Sequence, residues 1–291
     1  MKAIEITGLS KTYRGKRGAK IEALKNLNLE IERGEVFGFL GPNGAGKSTT
    51  IKVIMGLLKT SGGSARVMGQ DVSCFESRRH VGYLPENPAF FEYLTAEEYL
   101  HFVGKSFSMT DEVLLARVDE CLKRLELWDA RKRQMRGYSK GMVQRVGIAQ
   151  VLLHDPEVYI LDEPMSGLDP LGRALVKEII LELKGRGKAV FFSSHITSDM
   201  ESVCDRVGII MKGELKSVVS IDALMSEGIK GYSVQSEKIA GEEKTEIYVP
   251  KEELTSFLAD LQRDGKEIAM IEPCRKNLEQ FFLDIIRKSS C

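Results

Sequence analysis

Nothing in this sequence is apolar for long enough to enter a bilayer. Every hydrophobic run breaks well short of the 18 or more residues that a membrane-spanning helix needs. The opening MKAIEITGLSK meets charge too early for a secretory leader. The chain is therefore expected to be cytoplasmic and unable to cross a membrane alone. Cysteine is scarce and scattered. Cys74, Cys121, Cys204, Cys274 and Cys291 form no CxxC pair, which argues against a disulfide framework and predicts free thiols. Neither sign of charge is in excess: 42 basic side chains balance 42 acidic ones. That balance removes a global electrostatic reason to bind nucleic acid. His80, His101 and His154 have no metal-ligand spacing. Internal repeats, low-complexity tracts and sustained heptads are also missing.

What is present is an ordinary globular composition. The 291 residues are 43% hydrophobic and 29% charged, ample for a well-buried core in one large or two smaller domains. Alternating apolar residues predict strands around Ile4 and Ile6, and around Leu27, Leu29 and Ile31. The basic stretch from Arg14 to Lys20 between them reads as a hairpin turn. Val36–Leu40, Val158–Leu161, Ala189–Ser194 and Val207–Met211 are continuous apolar runs that fit buried strands. Lys212-Gly213 is expected to turn the last of them back into a hairpin.

Ile51, Ile54, Met55 and Leu58 mark one helix face, and Leu114, Val118, Cys121, Leu122 and Leu125 another. A further helix carries Leu175, Ile179 and Leu183. Thr95 and Glu98 have the capping-box spacing. Strands alternating with helices indicate an α/β fold with a mainly parallel sheet. Around Ser220 the character changes. Residues 221–291 read as a small β-β-α-β-α domain with strands near Tyr232–Gln235, Glu246–Val249 and Glu267–Ile271.

The loop after the first buried strand is Gly41-Pro42-Asn43-Gly44-Ala45-Gly46-Lys47-Ser48-Thr49, which matches G-x-x-x-x-G-K-[ST]. Its glycines let successive backbone N–H groups turn towards phosphate oxygens, and the helix behind it adds a positive dipole end. Lys47 is placed to reach the outer phosphates and Ser48 to coordinate Mg²⁺. Asp162 and Glu163 close the second buried strand. One carboxylate there can hold Mg²⁺ opposite the loop, and its neighbour can orient or deprotonate a water.

With these two motifs in place, the chain resembles the ATP-binding subunits of ABC transporters over residues 1 to about 220. Tyr138-Ser139-Lys140-Gly141-Met142 is similar to that family's signature, Ser166-Gly167-Leu168-Asp169 to its D-loop, and His195 to its switch histidine. Tyr13 is similar to the aromatic residue that stacks on adenine, a packing aromatic being the plainer alternative. Gly82-Tyr83-Leu84-Pro85-Glu86 stands where the Q-loop stands, with Glu86 in place of glutamine. Lys140 and Met142 also depart from the usual glycine and glutamine. These departures and the C-terminal tail resemble the ABC-2 exporter-type subgroup.

The resemblance implies a P-loop NTPase cassette at 1–220: a mainly parallel core sheet, an antiparallel β subdomain and a helical subdomain at about 86–155. A small α+β domain would follow at 221–291. It implies ATP and Mg²⁺, with Ser48, Asp162 and Glu86 at the metal. Glu163 would be the general base and His195 the γ-phosphate sensor. Ser139 and Gly141 would touch the ATP of a second ATP-binding subunit, and Asp169 would shape that contact. Separate multi-span membrane subunits would be the other partners, at the cytoplasmic face of the membrane. The alternative is a soluble ABC-type ATPase acting on ribosomes or DNA. A P-loop kinase or GTPase is disfavoured by the signature and His195.

Overall fold

The computed structural model describes residues 2–14, 19–226, 229–236, 245–265, 268–275 and 277–290. The chain separates into two compact units, Met1–Val218 and Val219–Cys291. The first unit opens with β1 (Lys2–Arg14) and β2 (Lys20–Glu32), an antiparallel pair in which Ile6 faces Leu29 and Tyr13 faces Ile21. Residues 15–18 of the expected basic turn lie outside the described residues.

β3 (Val36–Leu40) follows, buried along its whole length, and leads through the glycine-rich loop into α1 (Lys47–Ile54). The apolar stripe extends this helix to Leu58, but it ends a turn earlier. Gly56 adopts φ 66°, and a Cβ there would stand 2.3 Å from the Val72 carbonyl oxygen. Glycine is therefore required, and a left-handed residue stops the helix. β4 (Gly62–Val67) adds to β1, and β5 (Gln70–Asp71) to β4, completing a four-stranded antiparallel sheet.

β6 (Val81–Leu84) comes next. Three helices then fill the stretch expected to be helical: α2 (Ala96–Ser106), α3 (Asp111–Arg124) and α4 (Lys140–Leu153). The capping box is present on α2. Glu98 N–H donates to Thr95 Oγ1 at 3.2 Å, and Thr95 N–H to Glu98 Oε2 at 2.9 Å. Leu114, Val118, Cys121 and Leu122 form the buried face of α3.

The remaining elements of this unit are β7 (Val158–Asp162), α5 (Pro170–Gly185), β8 (Ala189–Ser194), α6 (Thr197–Glu201), β9 (Arg206–Met211) and β10 (Glu214–Ser220). The central sheet has the order β10-β9-β3-β8-β7-β6, and its pairs from β9 to β6 are parallel. Lys212 and Gly213 take left-handed φ values of 49° and 81°, which makes the tight reversal between β9 and β10. Phe191 stacks on Phe37 with ring centroids 6.1 Å apart and lies tilted against Phe39 at 5.3 Å. Burying each such ring stabilises the fold by about 1.5–3 kcal/mol.

The order β3-β8-β7-β6 matters for function. Parallel strands end on the same edge of a sheet, and ligands bind beyond their carboxyl ends. Leu40 pairs with Ser194, Asp162 with Ser193, and Leu84 with Leu161. Segments far apart in sequence thus reach one edge together.

The second unit begins with a short helix that the β-β-α-β-α reading missed, α7 (Ile221–Ser226). Then come β11 (Ile229–Ser236), β12 (Thr245–Pro250), α8 (Leu254–Arg263), β13 (Ile268–Arg275) and α9 (Leu278–Ser290). The strands form an antiparallel sheet ordered β12-β11-β13. Its core is Val234, Val249 and Leu261, packed with Phe257 and Leu258. Glu267, the expected start of the last strand, lies outside the described residues.

Candidate functional site

The glycine-rich loop is held in shape by backbone hydrogen bonds, one of its own and one from the β9–β10 turn. Ala45 N–H donates to Pro42 O at 3.1 Å, and Gly213 N–H donates to Ala45 O at 2.9 Å. Gly46 adopts φ 114° at the N-cap of α1, with no side chain capping that helix end. Gly41 has no room for a side chain, since a Cβ there would lie 2.5 Å from Ile210 O. Lys47 is folded back along the loop. Its ammonium donates to Gly41 O at 2.7 Å and lies 3.6 Å from Glu163 Oε1.

A cleft of about 310 Å³ opens against this loop. Its walls are Ala23, Glu86, Glu163 and the loop residues Pro42, Asn43, Gly44, Gly46, Lys47, Ser48 and Thr49. A larger hollow of about 510 Å³ lies along α5 between Leu168 and Asp199, away from the loop. It has none of the loop's phosphate-binding groups, so the smaller cleft is the better candidate.

Asp162 ends β7 and is 2% exposed. It accepts a hydrogen bond of 2.5 Å from the Ser193 hydroxyl. The same hydroxyl oxygen accepts the Glu163 N–H at 3.0 Å. Glu163 has φ 51°. A left-handed residue with a side chain is uncommon and costs on the order of 1–3 kcal/mol, so its surroundings must hold it there. Gln144 on α4 contributes: its amide nitrogen lies 3.0 Å from Pro164 O and 3.4 Å from Glu163 O. The Glu163 carboxylate then has two partners, Lys47 through Oε1 and His195 Nδ1 through Oε2 at 3.0 Å. A carboxylate so held can take a proton from a water between it and a phosphate.

The sequence-derived residues fall into three places. Lys47, Ser48, Glu86 and Glu163 share the cleft, while Asp162 and His195 adjoin Glu163. Tyr13 sits near the end of β1, 36% exposed, with the Lys11 ammonium 5.3 Å from its ring centre. Ser139 and Gly141 do not line the cleft of their own chain. Ser139 is the N-cap of α4 and accepts from Met142 N–H at 3.2 Å. Asp169 likewise caps α5, accepting from Gly172 N–H at 2.9 Å. A Cβ on Gly167 would meet Lys140 Cδ at 2.8 Å, so the lysine in the signature lies directly across a D-loop glycine.

Two residues at this site, Ser193 and Gln144, were not singled out in the sequence. The available signals were faint: a pair of serines closing an apolar strand, and one amide within the helix Lys140–Leu153.

Among the described residues there is no group of three His, Cys, Asp or Glu side chains able to hold a metal ion. Mg²⁺ binds through one or two carboxylates, waters and substrate phosphates rather than in an all-protein cage. Asp162 and the Ser48 hydroxyl are a hard-oxygen donor set of that kind.

Comparison with known proteins agrees with this geometry. A family model described as ABC transporter matches residues 24–166. An ABC transporter ATP-binding protein of Nostoc sp. is 42% identical over 283 residues, 92% of this chain and 84% of that protein. The bacitracin transport ATP-binding protein BcrA of Bacillus licheniformis is 37% identical over 230 residues, 78% of this chain and 72% of BcrA. A solved ATP-binding subunit of an ABC transporter superposes with TM-score 0.71 at 32% identity, covering 77% of this chain and 92% of its own. A dimeric ATP-binding cassette in a post-hydrolysis state, bound to ADP and phosphate, gives TM-score 0.70 at 26% identity, covering 75% and 98%.

Proposed function

The chain belongs to the ATP-binding subunits of ABC transporters, a family of ATPases, and from that premise we propose a specific working cycle for it. Two such subunits face each other head to tail, either two copies or one copy and a similar chain. Each ATP lies between the phosphate loop of one subunit and Ser139 and Gly141 of the other. Two observations support the sandwich: Ser139 and Gly141 do not line their own chain's cleft, and α4 carries them at its N-terminal end, where anions bind.

In this reading Lys47 neutralises the outer phosphates, and Ser48 and Asp162 hold Mg²⁺. The metal would supply charge neutralisation on the phosphate oxygens. Glu163 takes the proton from the attacking water, and His195 orients Glu163 and holds the γ-phosphate. Tyr13 stacks on adenine, and Asp169 shapes the contact between subunits. Glu86 lines the same cleft as Lys47 and Ser48 and is assigned a supporting role at the metal. The γ-phosphate keeps the dimer closed, and its loss opens the dimer.

No helix among the described residues is long and apolar enough to cross a membrane. In this reading cargo passes through separate multi-span subunits with this chain on the cytoplasmic face, and the resemblance to the ABC-2 exporter-type subgroup points to export. The aromatic stretch Phe90-Phe91-Glu92-Tyr93 is the proposed docking surface. Phe90 packs inward on Tyr99 with ring centres 4.8 Å apart, whereas Phe91 and Tyr93 are 64% and 76% exposed. Residues 1–220 act as the ATP-binding domain and 221–291 as an accessory domain.

The observation that carries this reading is Glu163: in the cleft, 3.6 Å from the loop's lysine and 3.0 Å from His195. Glu163→Gln keeps the shape but not the proton acceptor. ATP affinity should survive while turnover falls about 10²–10⁴-fold. Light scattering during size-exclusion chromatography should show a dimer with ATP and none with ADP. Turnover at the unmodified rate would remove Glu163 from its role.

A further inference from the structure

Gln144 is a primary amide in the middle of a helix, yet it is only 3% exposed. A buried amide is kept where its hydrogen bonds are used. Here its nitrogen faces two consecutive carbonyls, Pro164 O at 3.0 Å and Glu163 O at 3.4 Å. These peptides adjoin the one residue of the site with a left-handed backbone and a side chain, Glu163 at φ 51°. The Glu163 N–H is held separately by Ser193 Oγ at 3.0 Å, and Glu163 O also accepts from Ser166 N–H at 3.0 Å. The strained turn is thus gripped from the sheet side by Ser193 and from the helix side by Gln144.

The helix supplying Gln144 is the one that Ser139 caps. Five residues at 1.5 Å rise separate them by about 7.5 Å along a single rigid element. The start of α4 also abuts the next loop. A Cβ on Gly141 would lie 3.4 Å from Gly167 O, and Lys140 lies across Gly167. A displacement of Ser139 and Gly141 therefore moves the group that holds Glu163.

We propose that Gln144 is a positioning residue for hydrolysis: its amide fixes the Glu163–Pro164 backbone and couples the carboxylate of a subunit to its own signature helix. The proposal rests on Glu163 being the general base. Through the sandwich it has a consequence for the dimer. The helix that engages the facing subunit's ATP also orients the carboxylate acting on its own ATP, so the two sites are mechanically linked.

The test is a double-mutant cycle on the full-length chain, under conditions in which the unmodified chain turns over ATP. Gln144→Met keeps length and volume and removes the donor. It should lower kcat about tenfold with KM for ATP unchanged, the pattern of a lost transition-state contribution. In the Glu163→Gln background the same change should alter kcat less than about twofold, because the group it positions is already disabled. ATP-dependent dimerisation of Glu163→Gln should persist with Gln144→Met added. Thermal melting checks that each variant is folded. If Gln144→Met does not fold, Gln144→Glu carries the test, since its carboxylate repels the same carbonyls. Unchanged kcat in a folded variant would overturn the proposal. So would an equal loss of kcat in both backgrounds, or loss of the dimer, which would mark a merely structural role in α4. Unmodified turnover in Glu163→Gln alone would instead overturn the base assignment, and the proposed target with it.

Discussion

Lys47 is the residue on which the phosphate-binding reading most directly depends. Its ammonium is almost wholly enclosed, held by a loop carbonyl at 2.7 Å and by the Glu163 carboxylate at 3.6 Å. It is the one side-chain cation within Gly41–Thr49. Lys47→Ala should weaken ATP binding and abolish hydrolysis, because the outer phosphates lose their side-chain counter-charge. It should also leave Glu163 without its partner at Oε1. Isothermal titration with ATP and a phosphate-release assay check both effects, and full turnover would remove the loop from its role. Residues elsewhere show how environment rather than type sets chemistry. Burial, more than any neighbouring charge, pushes the Cys121 thiol up to about 11, so at neutral pH it is a small apolar group and a poor nucleophile.

Among the elements, the helices of the 86–155 stretch have the most explicit local signals. Thr95 and Glu98 satisfy each other's orphan N–H groups at the start of α2, and the Glu98 carboxyl is held below its ordinary range by those Thr95 contacts. Thr95→Ala should cost about 1 kcal/mol, the usual value for losing an N-cap. Thr95→Ser should restore most of it. Urea unfolding followed by circular dichroism measures both, and equal midpoints for Thr95→Ala and the unmodified chain would show that the cap is idle. Element ends were harder to foresee than element types. The apolar stripe of α1 continues to Leu58, yet the helix stops at Ile54 because Gly56 packs against the Val72 carbonyl. That contact joins residues 16 apart in sequence and leaves no trace in the local pattern.

At the scale of the molecule, every proposed ATP-contacting residue lies in the unit Met1–Val218, and the second unit has its own sheet and core. A chain ending at Ser220 should therefore fold and keep its affinity for ATP. Titration with a fluorescent ATP analogue tests this. A folded truncation without binding would show that the division at 220 is wrong.

The motifs and the class of fold are legible in the chain's local patterns. The phosphate loop and the Asp162-Glu163 strand end are readable because each is a short local pattern tied to one turn or strand end, whereas Ser139, Asp169 and His195 are readable only through the resemblance to the family. Continuous apolar runs announced β3, β7, β8 and β9 because both faces of those strands are buried. The contacts that hold the site arise instead from long-range packing. The β3-β8-β7 order sets Ser193 beside Asp162 across two strands, and the packing of α4 brings Gln144 to a backbone turn 19 and 20 residues further on. Hydrogen bonds of that kind depend on which elements become neighbours. A serine at a strand end, or a glutamine in a helix, looks the same in sequence whether it faces water or holds the backbone turn that carries Glu163.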